Sequence, residues 1–545
     1  MSSNDNNQEI PVLVVGAGPV GLGLAGDLGW RGTNCLVIEQ TDGSIGQPRQ
    51  DLVGIRTMEF CRRWGIADDV ATSPYPRGYP QDNAYVTTLN GWELGRDPEP
   101  AMEDQRPPPQ SPQMRERCPQ DMFDPILRKF ANSFECVELR YRTRFLGFEQ
   151  DADGVTVDVE DLDSGRKYQI RAQYLVGCDG ANSKLRELAG IEMLGNPALT
   201  YTTNVIFRCD GFEKLHDKAP GYRYIFIGPN GTWATVVAIN GRDQWRFSII
   251  GNAVDRRALS EAEIRDYINR AVGVEFDYEI LSVLPWTRRQ LVAERYQEGR
   301  VFLTGDSAHA MSPTGGFGMN TGIGDAIDLS WKLAAMLDGW GGDGLLDTYT
   351  AERRPVGDRN VNEARDNLSR MLSPGDNDAL LDDSADGAAV RERVGAEISQ
   401  AMLREWNTLG IHLGYVYHGS SLIWPDTTPT PPDEVMTYTQ TARPGARAPH
   451  VWLRDGRSTL DLFGRGFTLL RLGPDAPDTA SFEAAAAKIG LKLDVIVLDE
   501  ADVSVAYENR LVLVRPDGHV GWRGDDMPSD PMAVLDRLRG VATEG

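Results

Sequence analysis

The sequence predicts an α/β protein: a Rossmann-like dinucleotide-binding fold, an antiparallel sheet interleaved with it, and a small C-terminal α/β unit. Three observations carry this prediction. A buried strand runs into a G-x-G-x-x-G loop and a helix near the amino end, alternating strands follow one another between residues 200 and 290, and strand and helix patterns repeat from about residue 440. A chain of 545 residues is long enough for two or three such domains.

The glycine loop is the first element with a chemical task. Residues 12–15 form an apolar strand, Gly16, Gly18 and Gly21 form the loop, and a helical pattern leads to a second strand that ends in Glu39. The glycines let a pyrophosphate approach the helix N-terminus, and Glu39 can accept hydrogen bonds from a ribose hydroxyl. A purely structural turn is the alternative, but the flanking strands and helix favour dinucleotide binding.

The next two segments give less specific signals. Arg49 lies in the loop of residues 46–52 and can bind a phosphate or point into solvent, and its residue type alone favours the surface role. Residues 97–119 contain seven prolines and predict a long extended crossover. A helix then begins at Gln120 and runs to about residue 130.

An aspartate marks the tip of another strand. After a hairpin within residues 155–171, the apolar residues 174–178 predict a buried strand that ends in Asp179 and Gly180, and Ser183 can cap the next helix. Capping explains Ser183 but not the Asp-Gly pair. Since open α/β sheets bind ligands at the carboxyl ends of their strands, we expect a ligand at Asp179 and Gly180.

Residues 200–290 predict a mainly antiparallel sheet, broken once by a helix over residues 260–271 with a capping box of Ser260 and Glu263. A sheet of this kind beside a nucleotide fold is a suitable wall for an apolar substrate. Its aromatic rings are candidate substrate contacts, although packing is the commoner role. The candidates are Phe207, Tyr224, Phe226 and Trp233.

A second glycine-rich loop, residues 305–325, connects a short buried strand to a helix that we expect to begin at about residue 321. The glycines let the backbone approach a flat ligand, and the helix start offers unpaired N–H groups with partial positive charge. An ordinary strand-to-helix connection is the alternative for this segment alone. The pattern suits a flat ligand that carries negative charge.

The remainder of the chain alternates helices with polar connections. Residues 349–372 predict an arginine-rich, largely exposed helix, residues 373–395 an acidic mobile loop, residues 395–409 a helix and residues 425–432 a proline-rich linker. Strand and helix patterns from about residue 440 onward predict a small α/β domain, which contains none of the six cysteines.

Composition argues against several functional classes. A net charge of −24 disfavours nucleic acid and anionic membrane surfaces as partners. The six cysteines form no C-x-x-C pair, the six histidines show no metal-ligand spacing, and the chain has neither a signal-peptide pattern nor 18 consecutive apolar residues. We expect a cytoplasmic protein without a metal site, with a disordered start over residues 1–10.

Three motifs, GAGPVG with Glu39, CDGANSKLR and GDSAHAMSPTGGFGMNTGIGDA, together resemble the class A flavoprotein aromatic hydroxylases, in particular the phenol, chlorophenol and polyketide hydroxylases. The resemblance covers nearly the whole chain. It implies an FAD-binding domain over residues 11–195 and 295–372, a substrate-binding sheet domain over residues 196–294, and a helix, acidic loop and linker over residues 373–435. It also implies a thioredoxin-like domain without redox cysteines over residues 440–545, and a homodimer.

The same resemblance implies a role for individual residues. Gly16, Gly18, Gly21 and Glu39 would hold the ADP half of FAD. Arg49 and Gln120 would contact the flavin side, and Asp179 with Gly180 would steady FAD and help receive NAD(P)H, the transient reductant. The residues of the third motif are Asp306 at the ribitol and Pro313, Gly316, Gly318, Met319 and Asn320 along the isoalloxazine.

The implied reaction is hydroxylation of a phenolic or other electron-rich ring with NAD(P)H and O2, through a flavin C4a-hydroperoxide. Asp51 is the candidate general base for the phenol, because its place five residues before Arg56 resembles the phenol hydroxylases. A loop aspartate that caps the chain or pairs with Arg49 is an equal alternative. His309 is expected to hydrogen-bond backbone and not to catalyse.

Two rival functions use the same motifs. One is a Baeyer–Villiger or polycyclic natural-product (polyketide) oxygenase on the same scaffold. The other is a flavin-binding sensor or scaffold without turnover, which would show NAD(P)H oxidation that no substrate accelerates. The GWxWxIP run associated with flavin halogenases is missing, which counts against that branch.

Overall fold

The computed structural model describes residues 9–372 and 377–541. Three predicted segments fall partly outside this range. They are the disordered start, of which residues 1–8 lie outside, the acidic loop, of which residues 373–376 lie outside, and the thioredoxin-like domain, of which residues 542–545 lie outside.

Strands are numbered in chain order. They are β1 Ile10–Val15, β2 Cys35–Ile38, β3 Leu52–Val53, β4 Asn83–Val86, β5 Glu93–Asp97, β6 Glu116–Arg117, β7 Val137–Arg140, β8 Thr143–Gln150, β9 Val155–Asp161, β10 Lys167–Gly177, β11 Met193–Arg208, β12 Arg223–Gly228, β13 Gly231–Ala238, β14 Gln244–Ile250, β15 Glu279–Ala293, β16 Gln297–Glu298, β17 Val301–Leu303, β18 His309–Ala310, β19 Phe467–Leu472, β20 Leu493–Leu498, β21 Leu511–Val514 and β22 Val520–Gly524.

The α-helices are numbered in the same way. They are α1 Pro19–Arg31, α2 Ile55–Arg63, α3 Ala67–Ala71, α4 Gln120–Ala131, α5 Lys184–Leu188, α6 Glu261–Val272, α7 Phe317–Leu337, α8 Thr348–Leu372, α9 Ala385–Trp406, α10 Leu409–Leu413, α11 Ala480–Lys488, α12 Ala501–Tyr507 and α13 Pro531–Leu538.

The first sheet is mainly parallel and has the order β16-β17-β10-β1-β2-β7, with β9 and β8 extending it from β10. Helices α1 and α7 pack together with it in one large core, which explains why β1, β2 and β17 are apolar almost throughout. The strand ends align: Val15 is in register with Gly177, and Gly177 with Leu303. The three loops that follow these residues therefore start side by side at one edge of the sheet.

The second sheet has eight strands in the order β18-β15-β11-β14-β13-β12-β4-β5. One face packs against α6 around an aromatic core. On the other face, α8 and α9 cover the end near β4, β5 and β12, and a cavity remains beyond them. The sheet is antiparallel except where β12 runs parallel to β4.

The C-terminal sheet has the order β20-β19-β21-β22, with β19 and β20 parallel and the other pairs antiparallel. Helices α11 and α13 pack in one core beside it and α12 packs in another. The first of these cores includes Trp331 of α7 and Trp340, so the last part of the chain is joined to the helix that follows β17.

The predicted fold class is confirmed, and three local predictions are wrong. Helix α7 begins at Phe317, earlier than residue 321, because Gly316 takes a left-handed conformation that starts the helix. Helix α8 is not largely exposed, since Glu352 and Arg353 are 2% and 1% exposed. Residues 385–395 are helical and not a loop, with Ser384 as the N-cap and Gly395 packed against the backbone of β5.

Two kinds of feature are absent from residues 9–372 and 377–541. No helix in this part of the chain is long and apolar enough to cross a membrane. The same residues contain no group of three or more histidine, cysteine, aspartate or glutamate side chains placed to hold a metal ion.

Candidate active site

The first glycine loop joins β1 to α1 and has room for a ligand at one position only. A Cβ at Gly16 would lie 2.5 Å from the carbonyl oxygen of Cys178, and one at Gly21 would lie 2.0 Å from that of Gly16. A Cβ at Gly18, the N-cap of α1, would meet no protein atom within 4 Å. Two glycines are therefore required by the packing of the protein, and the third leaves open space at a helix N-terminus, where a pyrophosphate fits.

Glu39 fixes this loop from the end of β2. Its carboxylate accepts hydrogen bonds from the backbone N–H of Ala17 at 3.0 Å, and from the N–H and hydroxyl of Thr41 at 2.7 and 2.8 Å. A carboxylate offers about four acceptor positions. Glu39 thus holds its own loop and keeps acceptor capacity for one ribose hydroxyl.

Asp179 and Gly180 follow β10 at the same sheet edge. The Asp179 carboxylate accepts hydrogen bonds from the Ser183 hydroxyl and, at 3.1 Å, from the N–H of Leu185. Burial raises the pKa of Asp179, and these two bonds oppose the shift. Ser183 also caps α5 as predicted, by accepting from the N–H of Arg186 at 2.9 Å. Gly180 has φ +83° and open space where a Cβ would be.

The third loop leaves β17 through a 3₁₀ turn, Gly305–Ser307, that places Asp306 opposite the start of α7. A Cβ at Gly318 would lie 3.7 Å from Asp306 Oδ1, and burial raises the pKa of Asp306. Pro313 and Gly316 line the cavity described below, whereas Met319 packs on the core of the first sheet. Asp306, Pro313 and Gly316 are thus brought to one region, and Met319 points away from it into packing.

Asn320 ties α7 to the loop before α2. Its side-chain oxygen accepts from the N–H of Gly54 at 2.8 Å and from the hydroxyl of Thr57 at 2.7 Å. Its side-chain nitrogen donates to the carbonyls of Leu52 at 3.2 Å and Gly316 at 2.8 Å. All these bonds are made within the protein. Asn320 therefore fixes the third glycine loop, where the flavin site is predicted, to the segment before α2.

Gln120 and Arg49 are linked to each other by a hydrogen bond. Gln120 begins α4; its oxygen accepts from the backbone N–H of Arg49 at 3.1 Å, and its nitrogen donates to buried Asp124 at 3.1 Å. Burial raises the pKa of Asp124 to about 7. The Arg49 guanidinium lies 5.7 Å from the ring centre of Trp286, at the mouth of the cavity, and is exposed.

The cavity lies between these loops and the second sheet, with about 1100 Å³ of empty space when the part open to solvent is counted. The loop side contributes residues 47–49, 51, 52 and 313–316. The sheet side contributes alternate residues of four strands: Thr202, Asn204, Thr235, Val237, Arg246, Ser248, Leu284, Trp286 and Arg288.

Asp51 lies in this cavity and is held by three neighbours. Tyr222 donates its hydroxyl to the carboxylate in a short hydrogen bond, and Arg117 and Arg246 each approach at 3.3 Å. Burial would raise the pKa of Asp51, but both guanidinium groups and the Tyr222 bond outweigh it and lower the pKa. The carboxylate pairs with these arginines and has no ion pair with Arg49 among the described residues.

The pKa of Tyr222 is shifted upward, opposite to that of Asp51. Burial raises its pKa well above the ordinary value, although Arg117, whose guanidinium lies 3.6 Å from the ring centre, pulls the pKa down. The phenol therefore stays protonated and donates to Asp51 at neutral pH. The short ladder between β3 and β6 brings Asp51 beside Arg117.

The predicted substrate contacts lie elsewhere, which corrects the prediction. Phe207, Tyr224 and Phe226 are fully buried on the face of the second sheet that packs against α6. A β-bulge after Phe226 keeps Trp233 on that face, where Arg270 of α6 lies 4.4 Å from its ring centre. The four rings form the core behind the sheet and do not line the cavity in front of it.

His309 makes a different contact from the one predicted. Its Nε2 lies 2.7 Å from Oδ2 of buried Asp325, whose other oxygen accepts from Arg353 at 2.8 Å. Gly305 also donates its N–H to Asp325 at 3.2 Å. His309 therefore fixes the third loop through a carboxylate and not through a backbone carbonyl.

Sequence reasoning missed the polar wall of the cavity, although a signal was present. In β14, Trp245 and Phe247 face the α6 core while Arg246 and Ser248 face the cavity. The same alternation marks the cavity side of β11, β13 and β15. A polar stripe opposite an aromatic stripe predicts a lined cavity more directly than the aromatic residues do. The functional candidates missed were Arg117, Tyr222, Arg223, Arg246, Trp286, Arg288 and Glu405.

Comparison with known proteins gives a consistent result. Residues 9–364 match the family described as FAD binding domain, and residues 441–542 match the family described as aromatic-ring hydroxylase, C-terminal. A putative polyketide hydroxylase of Streptomyces halstedii is 34% identical over 96% of this chain and 95% of that protein. A 2,4-dichlorophenol 6-monooxygenase of Delftia acidovorans is 32% identical over 94% of this chain and 95% of that protein.

Solved structures agree with these relatives. The rebeccamycin biosynthetic enzyme RebC with reduced flavin superimposes with a TM-score of 0.91, at 38% identity, over 98% of this chain and 99% of that one. The similarity therefore extends over nearly the whole of both chains.

Proposed function

The chain belongs to the family of FAD-dependent aromatic-ring hydroxylases, and from this premise we propose that it hydroxylates a phenolic ring bound in the cavity beside Asp51 and Tyr222. Membership makes the protein an FAD-dependent aromatic monooxygenase that uses NAD(P)H and O2. The proposal adds the site and the proton acceptor. One observation carries it: a carboxylate kept ionised by two arginines accepts a hydrogen bond from a tyrosine inside the cavity.

The protein's own residues suit FAD. Gly18 leaves open space at the start of α1, Glu39 retains acceptor capacity, and Gly180 and Gly316 have no side chain to block a flat ligand. We assign the pyrophosphate to the α1 N-terminus, the ribose to Glu39 and the ribitol to Asp306. FAD held by these residues would supply the redox chemistry of the reaction, the activation of O2 with electrons from NAD(P)H.

A phenol reacts better with an electrophile as its phenolate, so removal of its proton assists the reaction. Tyr222 stays protonated and donates to Asp51, which stays ionised at neutral pH because its pKa is lowered. A substrate hydroxyl that donates to the Tyr222 oxygen can pass its proton there while the Tyr222 proton moves to Asp51. Asp51 is then the base, and Tyr222 is the group that touches the substrate.

The substrate class follows from the relatives. The polyketide hydroxylase relative indicates a fused-ring natural product, and the dichlorophenol monooxygenase relative indicates that a single ring is the rival. We favour a polycyclic phenol.

The test uses purified holoenzyme with a panel of naphthols, hydroxyanthraquinones and simple phenols. We expect substrate to accelerate NAD(P)H oxidation and the product mass to rise by one oxygen. Asp51→Asn should lower kcat by roughly 10²–10⁴ with flavin content unchanged. A variant that hydroxylates at the normal rate and pH profile would refute the role of Asp51, and NAD(P)H oxidation that no aromatic compound accelerates would refute the function.

The proposal extends to the location and the oligomeric state of the protein. We place the protein in the cytoplasm, which is supported by six cysteines that are all free thiols. The homodimer implied by the family resemblance is tested by light scattering on purified protein.

A further inference from the structure

Helix α2 connects the cavity to the C-terminal part of the chain, residues 441–541. The helix begins at Ile55, directly after the segment that carries Asp51 and strand β3. All four of its charged side chains form hydrogen bonds with the C-terminal part. These bonds are Arg56 to the carbonyl of Asp517 at 3.1 Å, Glu59 from Arg447 at 2.9 Å, Arg62 to Asp461 at 2.7 Å and Arg63 to the carbonyl of Pro516 at 3.0 Å.

The contact between Glu59 and Arg447 is buried, with side chains that are 3% and 1% exposed. Arg447 donates its Nε to one carboxylate oxygen and its Nη2 to the other, so the pair is bidentate. Burial alone would raise the pKa of Glu59, but Arg447 and Arg56 outweigh it and lower the pKa. The carboxylate therefore stays ionised at neutral pH, and Arg447 bonds both of its oxygens.

The same two side chains also hold the proline-rich crossover of residues 97–119. Ser111, in this crossover, donates its hydroxyl to Glu59 at 2.6 Å. Arg447 Nη2 donates in addition to the carbonyl oxygen of Gln110 at 3.1 Å. One arginine of the C-terminal part therefore binds both α2 and the crossover.

Both of these segments lead to the proposed base. Asp51 lies four residues before the start of α2, Arg117 lies six residues after Ser111, and the two side chains pair at 3.3 Å. Strands β3 and β6 join the segments, with Leu52 in register with Arg117. The geometry at such a pair matters, because a displacement of about 1 Å at a reacting group can cost about 10²-fold in rate.

We propose that Arg447 is a positioning residue for the reaction: it holds α2 and the crossover together, so that Asp51 and Arg117 meet in the productive geometry. The inference rests on the proposed function, in which Asp51 is the base. None of the described residues beyond 408 lines the cavity. The C-terminal part therefore contributes to turnover through the segments that it holds, without contacting the substrate.

The experiment is a double-mutant cycle of Arg447→Gln and Asp51→Asn on the holoenzyme, with the best substrate of the phenol panel. The rate is measured as hydroxylated product per flavin. We expect R447Q to lower kcat roughly 10- to 100-fold, with flavin content unchanged and KM within about 2-fold. Because Arg447 acts through Asp51, R447Q should change kcat of the Asp51→Asn enzyme by less than about 2-fold.

Arg62→Gln is the matched control. Arg62 lies on α2 and pairs with Asp461 of the C-terminal part, but these side chains are 30% and 21% exposed. The substitution changes the net charge equally and weakens the same interface, and it should leave kcat within about 2-fold. A loss of kcat in R62Q equal to that in R447Q would mean that any weakening of the interface slows the enzyme, and would overturn the specific role of Arg447.

Wild-type kcat in R447Q, or a loss that multiplies fully with that of Asp51→Asn, would also overturn the assignment. Should R447Q fail to fold, Arg447→Lys decides, because lysine keeps the charge but lacks the planar fork that bonds both Glu59 oxygens. A lysine variant with wild-type kcat would then reject the positioning role. Wild-type kcat in Asp51→Asn alone rejects the proposed base, whereas a loss there without a loss in R447Q rejects only the role of Arg447.

Discussion

Two clusters of buried charge in this protein differ in their balance. The cavity cluster contains Asp51, Tyr222, Glu405 and the arginines at 117, 223, 246 and 288, and its cations outnumber its carboxylates. The junction cluster joins α7 and α8 to the C-terminal sheet. It contains Asp328, Lys332, Glu352, Arg515 and Asp517, all 2% exposed or less, and it has two cations against three carboxylates.

The charged groups of the junction cluster pair with one another, although Arg515 Nε has no hydrogen-bond partner among the described residues. Lys332 contacts Asp328 and Glu352, both at 2.7 Å. Arg515 contacts Glu352 at 2.6 Å, Asp517 at 2.7 Å and Asp328 at 3.3 Å. Burial raises the pKa of Asp328 to about 7, so a proton on this carboxyl brings the cluster near neutrality. Nearly every charged group of the junction cluster therefore has an oppositely charged partner within the protein.

The comparison separates two uses of buried charge. A cluster that is neutral and closed needs no ligand, so we interpret the junction cluster as structural. A cluster that keeps surplus cations at the wall of a cavity remains open to interaction with what the cavity binds. If this distinction holds, substitutions in the junction should affect stability, and substitutions in the cavity should affect binding and turnover.

The largest expected effect is on stability, from Arg515→Met. The change leaves Glu352 and Asp517 buried without their main cation, which should cost about 3–5 kcal/mol in the free energy of unfolding. Urea titration followed by tryptophan fluorescence measures it. Arg510→Met, which removes the surface pair with Asp526, is the control and should cost less than about 1 kcal/mol. Equal losses in both variants would contradict the distinction.

A smaller effect is expected on turnover, from Tyr222→Phe. Loss of the hydroxyl interrupts the proton path to Asp51, so kcat for a phenolic substrate should fall roughly 10- to 100-fold. KM should change little, and stability by no more than about 1–3 kcal/mol. Steady-state kinetics and urea titration test this together. A large rise in KM with an unchanged kcat would show that Tyr222 only binds the ring.

The smallest expected effect is a pH dependence that belongs to the junction. The folded-state pKa of Asp328 is about 7, above the ordinary value of 3.8. Between these values the folded state binds more protons at Asp328 than the unfolded state does, so the contribution of this group to wild-type stability falls as pH rises. Asp328→Asn lacks this titration and should gain stability relative to wild type from about pH 4 to pH 7.

Unfolding free energies of both chains at pH 4.5, 5.5 and 6.5 measure this difference. Other carboxyls, such as Asp124, titrate in the same range in both chains and cancel in the comparison. A constant difference across this range would mean that Asp328 is ionised throughout, and the junction cluster would then carry net charge as the cavity cluster does.

The sequence by itself determined the fold class and the place of the glycine loops. Local patterns are sufficient there, because each glycine loop directly follows its own apolar strand. The residues that form each loop are also consecutive in the chain, so one short motif identifies them. The alignment of Val15, Gly177 and Leu303 at one sheet edge follows from parallel strands that end together.

Only the tertiary structure decided the partners of buried polar groups. Tyr222 reaches Asp51 across 171 residues, and Glu352 reaches Arg515 across 163. It also decided which face of the second sheet fronts the cavity, where a β-bulge keeps Trp233 in the core. Such outcomes depend on strand order, register and helix placement, and a buried charge is stable only where the fold supplies its counterpart.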